Sequence, residues 1–202
     1  MASTRNDDKY SGNKESLIAA GEALIRKASY SQIGINDVLR ETGIPKGSFY
    51  HYFDSKLEFG IAVSEFYHQK QMETARKTLK NQHLAPINRL QGFFESALQD
   101  MKTKQFTQGC LMCNLTTELA DENNELKNVL NRQWQELSNE IADCLKAIEL
   151  KSLNLEHLSR TEAADWLLNS WSGALTRMKS SGSAQPLHLF LKSLHLQSTI
   201  NH

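Results

Sequence analysis

Most of the marks of a catalyst or an exported protein are missing from these 202 residues. Cysteine occurs only three times, an odd number that argues against a disulfide framework and for reduced thiols. Proline also occurs three times, at Pro45, Pro86 and Pro186, each where a helix is expected to begin. No apolar run approaches the roughly 20 residues of a spanning helix, and the opening MASTRNDDKYSGNK is polar, so a cytoplasmic protein with no membrane partner is expected. There is no glycine-rich phosphate loop and no recognisable catalytic constellation, which excludes the common enzyme classes and calls for no cofactor. Net charge is absent too, with 23 basic against 23 acidic residues. Residues 1–60 are equally balanced, so bulk charge supplies none of the basic footprint usual in nucleic-acid binding. The acidic side chains there fall on the first helix and on helix starts, at Glu15, Glu22, Asp37, Asp54 and Glu58, away from the basic and aromatic cluster that follows Pro45.

What is present is helical periodicity along the whole chain, with no alternating pattern long enough for a strand. The expected fold is all-α, with about nine helices. A first helix over about 13–29 carries Leu17, Ala20, Leu24 and Ala28 on one face, after a flexible arm at 1–12. A short amphipathic helix at 35–41 turns Val38 and Leu39 inward. Further helices are expected at 45–51, 55–79, from Pro86, at 109–121 and at 124–150, the last with a core stripe through Leu126, Leu130, Trp134, Leu137, Ile141 and Leu145. A polar break at 151–158 precedes a second capping box, Ser159 with Glu162, and two final helices; the tail 197–202 is expected to be loose.

The stretch TGIPKGSFYHYFDSKLEF, residues 42–59, reads as a turn, a short exposed helix and an N-capped long helix. Gly43 supplies a permissive backbone at the turn, and Pro45 starts the short helix where its missing N–H costs little. Only Phe49 is an inward anchor. Lys46, Gly47, Ser48, Tyr50 and His51 face outward, followed by Tyr52, and Lys56 sits at a helix start that Ser55 and Glu58 cap. Donors and flat aromatics without a core role suit phosphates and base edges.

On these residues, K-G-S-F-Y-H-Y-F with S-K behind it, positions 14–59 resemble the DNA-binding domain of the TetR (tetracycline repressor) family of bacterial one-component regulators. The resemblance implies a helix-turn-helix domain at 1–59 and a helical ligand-binding and dimerisation domain at 60–202. It also implies a homodimer on a near-palindromic double-stranded DNA operator and a repressor released by a small-molecule or electrophile inducer. Lys46, Tyr50 and Lys56 would then anchor phosphates, with Ser48 and His51 at base edges and Lys46 able to do either. Two family positions differ here: Pro45 and Gly34 stand where a capping serine and threonine are usual, which removes two hydroxyls from the phosphate surface.

The segment QGCLMCNLTTELAD offers the second site. Cys110, Asn114 and Thr117 share one helical face, and a cysteine in a first turn feels the positive end of the helix, which favours thiolate. Cys113 is one turn on, a candidate resolving thiol, whereas Cys144 belongs to a core stripe. The G-C-L-x-x-N pattern is similar to the branch of the family that contains the N-ethylmaleimide- and quinone-responsive and the acrylate-responsive repressors, which implies sensing at Cys110. Two thiols with no histidine pair at zinc spacing leave no metal site to expect. A thiol redox protein using Cys110 and Cys113 and a helical adaptor without DNA affinity remain as other readings, and a gel shift separates the adaptor from a repressor.

Dimerisation is expected through the last two helices. Leu167, Trp171, Leu175 and Met178 form one stripe, and Leu187, Phe190, Leu191 and Leu194 the other, with more apolar surface than one subunit's core should need. The opposite side of the first of these helices carries Trp166, Ser170, Gly173 and Arg177, which suggests two packing partners.

Overall fold

The computed structural model describes the backbone of residues 2–195 and the side chains of residues 10–194, so the tail expected to be loose lies outside the described residues. Eight α-helices form among them, with no strand: α1 Ala2–Lys27, α2 Ile35–Thr42, α3 Lys56–Leu79, α4 Pro86–Thr103, α5 Leu111–Leu119, α6 Asn124–Leu145, α7 Arg160–Ser181 and α8 Gln185–His195. Two 3-10 turns complete the order, at Lys46–His51 and Leu150–Leu153. No described helix is long and apolar enough to cross a membrane.

Two compact units arise. The first comprises residues 1–68 with 111–130, the second residues 69–110 with 131–202. The boundary expected after residue 59 therefore moves, because α5 belongs with the first unit. Its Asn114 amide donates to the Ile25 carbonyl at 3.3 Å, and the Glu118 carboxylate accepts the N–H groups of Tyr30 at 2.9 Å and Ser31 at 2.5 Å.

In the first unit α1 packs closely on α3. A Cβ at Gly21 would overlap the Phe59 ring of α3, and one at Gly60 would stand 2.7 Å from the ring of Tyr30 in the connection after α1, so a side chain at either position would force a ring to move. The helix begins at Ala2 rather than at Asn13, which corrects the expected flexible arm. Its buried face runs through Leu17, Gly21 and Ile25, while Ala28 is exposed. Arg26 is buried with its guanidinium 3.3 Å from Glu22 and 5.2 Å from the Tyr67 ring centroid.

In the second unit the core is aromatic at its centre. Phe94 of α4, Trp171 of α7 and Phe190 of α8 meet with centroids 4.7–5.3 Å apart, in edge and tilted arrangements that suit ring quadrupoles. Arg76 and Lys80 both reach Glu140, at 3.0 and 2.8 Å, and the Ser138 hydroxyl donates to Asp165. Cys144 is buried 3.7 Å from the Pro86 carbonyl, and burial pushes its thiol pKa up, so it serves as core. The capping box at α7 forms as expected, with Ser159 Oγ accepting the Glu162 N–H and the Glu162 carboxylate accepting the Ser159 N–H. The break at 151–158 is less polar than its composition suggests, since Leu153 and Leu155 are buried.

Candidate nucleic-acid interface

Helix α2 ends at Gly43 with φ +68, the left-handed conformation that lets the chain turn toward residues 46–51. Pro45 is extended and stands before the short helix, one position earlier than expected. That helix is 3-10 rather than α. The Ser48 N–H donates to the Pro45 carbonyl at 2.8 Å and Tyr52 N–H to the Phe49 carbonyl at 2.9 Å, three-residue closures that suit a segment too short to propagate an α-helix.

One side chain anchors the segment. Phe49 is fully buried against Phe53 and Phe59, the three ring centroids lying 5.1–5.4 Å apart. Lys46, Gly47, Tyr50 and His51 are exposed, Tyr50 to 64%, and Ser48 is half-buried. Two of the expected residues stand differently. Tyr52 is half-buried, accepts a hydrogen bond from Asn13 at 3.0 Å and packs on Tyr10 with centroids 4.7 Å apart. Lys56 is half-buried with Nζ donating to the Tyr30 carbonyl at 2.8 Å and lying 4.4 Å from the Tyr30 ring centroid; burial lowers its pKa. Each is a brace first, because an extended aromatic or aliphatic stem beside a helix end gains more from packing than from solvent.

Sequence reasoning missed two contributors. Tyr10 is exposed and donates its hydroxyl to the His51 carbonyl at 2.9 Å, tying α1 to the end of the recognition turn. Its spacing with Lys14 and Leu17 on one helical face was legible had the helix been extended backward. Glu118 is the other, and no local signal marks it. Its burial raises the carboxyl pKa, but hydrogen bonds from Ser31, Tyr30 and Ser29 outweigh that and hold it below the ordinary value. Burial and the nearby Glu118 charge together push the Tyr30 phenol up to about 12. The hydroxyl missing at Gly34 is not replaced, but the reciprocal half of the cap is kept: the Asp37 carboxylate accepts the Gly34 N–H at 2.9 Å.

The expected sensor face is only partly assembled. Helix α5 begins at Leu111, so Cys110 precedes the helix instead of lying in its first turn, and it is 5% exposed. Cys113 is half-buried on α5, and none of the three thiols is in a disulfide. Asn114 is committed to α1, and Thr117 is exposed with its hydroxyl bonded back to the Cys113 and Asn114 carbonyls, so the polar groups of both are already engaged within the first unit. The eight expected dimer residues are likewise reassigned. Leu167, Trp171, Leu175, Met178, Leu187, Phe190, Leu191 and Leu194 are all buried within the subunit, because their two stripes face each other and α4. The faces left open are Trp166, Ser170, Gly173 and Arg177 on α7 and Leu189 on α8, with Trp166 46% and Leu189 69% exposed.

Comparison with known proteins adds an independent line. Residues 17–63 match the family described as bacterial regulatory proteins, tetR family, and residues 86–194 match the tetracyclin repressor-like C-terminal domain. The chain is 31% identical over 182 residues to the transcriptional regulator AcuR of Cereibacter sphaeroides, covering 89% of this chain and 82% of the other. It is 29% identical to the HTH-type transcriptional repressor NemR of Escherichia coli, covering 86% and 87%. A crystal structure of regulatory protein TetR from Rhodobacter sphaeroides superposes with TM-score 0.84 at 28% identity, over 91% of this chain and 97% of that one.

Proposed function

Since the chain belongs to the TetR family of bacterial regulatory proteins, we propose that it is a homodimeric repressor that binds a near-palindromic operator and leaves it when an inducer or electrophile acts on the helical body. It is a transcriptional regulator and not an enzyme. The observation that carries the reading is the recognition turn: a buried Phe49 holds Lys46, Gly47, Tyr50 and His51 outward on a rigid aromatic base, with Ser48 half-exposed beside them. Such donors serve phosphates and base edges, and two copies on a two-fold axis would read half-sites one helical turn, about 34 Å, apart. The operator is sought in the DNA flanking its own gene. A titration by fluorescence anisotropy should give specific binding there that falls steeply with salt; binding no tighter than to random DNA would favour the adaptor reading.

The dimer forms through the outer faces of α7 and α8. Small residues at Ser170 and Gly173 permit close approach there, and Trp166 and Leu189 supply apolar anchors. Sedimentation of Leu189→Asp should show monomers with a native circular dichroism spectrum, and an intact dimer would sink this assignment.

Cys110 is the proposed sensor, with Cys113 as its partner. Its thiolate would add across the double bond of N-ethylmaleimide, forming a carbon–sulfur bond while the neighbouring carbon takes a proton from water. At 5% exposure the adduct needs room that the packed segment lacks, so modification would force the 104–110 connection and α5 to rearrange. A coupling of about 3 kcal/mol gives over hundredfold release, an ordinary size for allostery. Operator release is compared for wild type, Cys110→Ser and Cys113→Ser. Equal release from wild type and Cys110→Ser would point to a non-covalent inducer.

A further inference from the structure

The second unit contains a cleft between α4 and α8 with a volume of about 580 Å³. That is the size of a small-molecule site, for which roughly 300–1,000 Å³ is usual. Leu98 of α4, Leu191 of α8 and Phe106 supply apolar wall. Lys102 of α4 and Lys192 and His188 of α8 supply positive or proton-bearing groups, against the one carboxylate of Glu95. Nearby Lys104 is paired with Asp100 at 2.5 Å, but no ion pair among the described residues occupies Lys102 or Lys192.

Phe106 reaches the cleft by an uncommon backbone. Helix α4 ends in a paired closure, with the Phe106 N–H donating to the Met101 carbonyl at 2.9 Å and the Gln105 N–H to the Lys102 carbonyl at 3.0 Å. This is the arrangement that normally places glycine after the cap, yet here Gln105 has φ +52 and Phe106 itself φ +57. A bulky residue in the left-handed region is disfavoured and persists only where the surroundings hold it. The result is a ring set on the cleft wall at the end of α4, beside Lys102.

Helix α8 presents three faces. Leu187, Phe190 and Leu194 enter the core, Leu189 points outward, and His188 and Lys192 line the cleft, with Ala184 just before the helix beside them. The cleft is thus separate from the outer face assigned to the dimer.

We propose that this cleft binds an amphipathic organic anion, an aryl or alkyl carboxylate whose charge is held by Lys102 and Lys192 and whose apolar arm lies on Phe106, Leu98 and Leu191. The proposal goes beyond the regulator reading and does not depend on it, because its test reads binding alone.

The full chain is irradiated with 4-benzoylbenzoate, an aryl carboxylate that inserts into neighbouring C–H bonds, and the labelled peptides are mapped by mass spectrometry. Labels should fall within 98–106 and 184–192, and excess decanoate should suppress them. The uncharged analogue 4-methylbenzophenone should label these peptides about tenfold less, the loss expected for one or two charge-assisted hydrogen bonds. Lys102→Glu with Lys192→Glu should reduce labelling by a similar factor, whereas Lys102→Arg with Lys192→Arg should retain it. Labels confined to other segments, equal labelling by the uncharged analogue, or undiminished labelling of the charge-reversed protein would each overturn the site. The comparison of the two reagents on wild type keeps the test decisive even if the charge-reversed variant does not fold.

Discussion

The recognition turn and the α7–α8 pair treat their conspicuous residues in opposite ways. In the turn, one apolar side chain is buried and the polar and aromatic remainder faces outward, so the candidate functional residues are those that packing leaves over. In the helix pair, the eight apolar residues that stand out in sequence are consumed inside the subunit. The candidate interface is there made of the weaker signal, the opposite side of α7 with Trp166, Ser170 and Gly173, joined by Leu189, which no stripe marked. An amphipathic stripe tells which face is buried but not against which partner.

The sharpest test of that contrast is a pair of neighbours on α8. Leu187 is fully buried and Leu189 is 69% exposed. Leu187→Ala should cost about 2–5 kcal/mol in urea unfolding, the range for large-to-small core changes. Leu189→Ala should change subunit stability by less than about 0.5 kcal/mol while weakening the dimer. Similar losses of stability at both positions would erase the distinction between core and interface.

Legibility follows the same divide. Helix spacing, the Gly43 turn, the Phe49 anchor and the Ser159–Glu162 cap were readable because each depends on residues within about one turn of one another. The 3-10 form of the recognition turn was not, since it reflects a tie between two closures in a six-residue segment. Nor was Glu118, whose partners lie 87 and 88 positions away. The internal roles of Lys56 and Tyr52 escaped for the same reason, both being set by α1 and the connection that follows it.

Lysines in the head separate surface from brace. Lys46→Ala should leave thermal unfolding unchanged, weaken operator binding by about tenfold and reduce the salt slope by about one unit per contact in each subunit. Lys56→Ala should lower the melting temperature as well, because its ammonium already serves the Tyr30 carbonyl. Affinity loss without any thermal change at Lys56 would make it a phosphate anchor like Lys46.

A smaller effect is expected where α5 grips the head, and its sign depends on pH. The Glu118 carboxyl is held below its ordinary value, so its stabilisation is present above about pH 4.5 and is lost as pH falls through the lower folded value. Tyr30 runs the other way: with a pKa raised from 10.0 to about 12, its contribution is complete below pH 10 and is lost as pH rises through 12. Glu118→Gln should flatten the acid limb of a stability–pH curve, and Tyr30→Phe the alkaline limb. An unchanged acid limb in Glu118→Gln would mean that the carboxylate adds nothing to folding.

The smallest effect compares two helix ends. Gly43 after α2 and Gln105 after α4 both adopt left-handed backbone, at φ +68 and φ +52, but only the first uses glycine. A Cβ at Gly43 meets nothing within 4 Å, so the penalty of Gly43→Ala should be purely conformational, about 1 kcal/mol. At Gln105 the same penalty is already present, and Gln105→Gly should relieve it. The greater freedom of glycine in the unfolded chain takes back part of that gain, which leaves a net stabilisation of about 0.5 kcal/mol. Thermal unfolding of the two variants should therefore shift in opposite directions. If Gln105→Gly instead destabilises by as much as Gly43→Ala, the glutamine side chain must contribute packing that outweighs its backbone strain. The α4 end would then be held by its side chains, whereas the α2 end is set by its backbone.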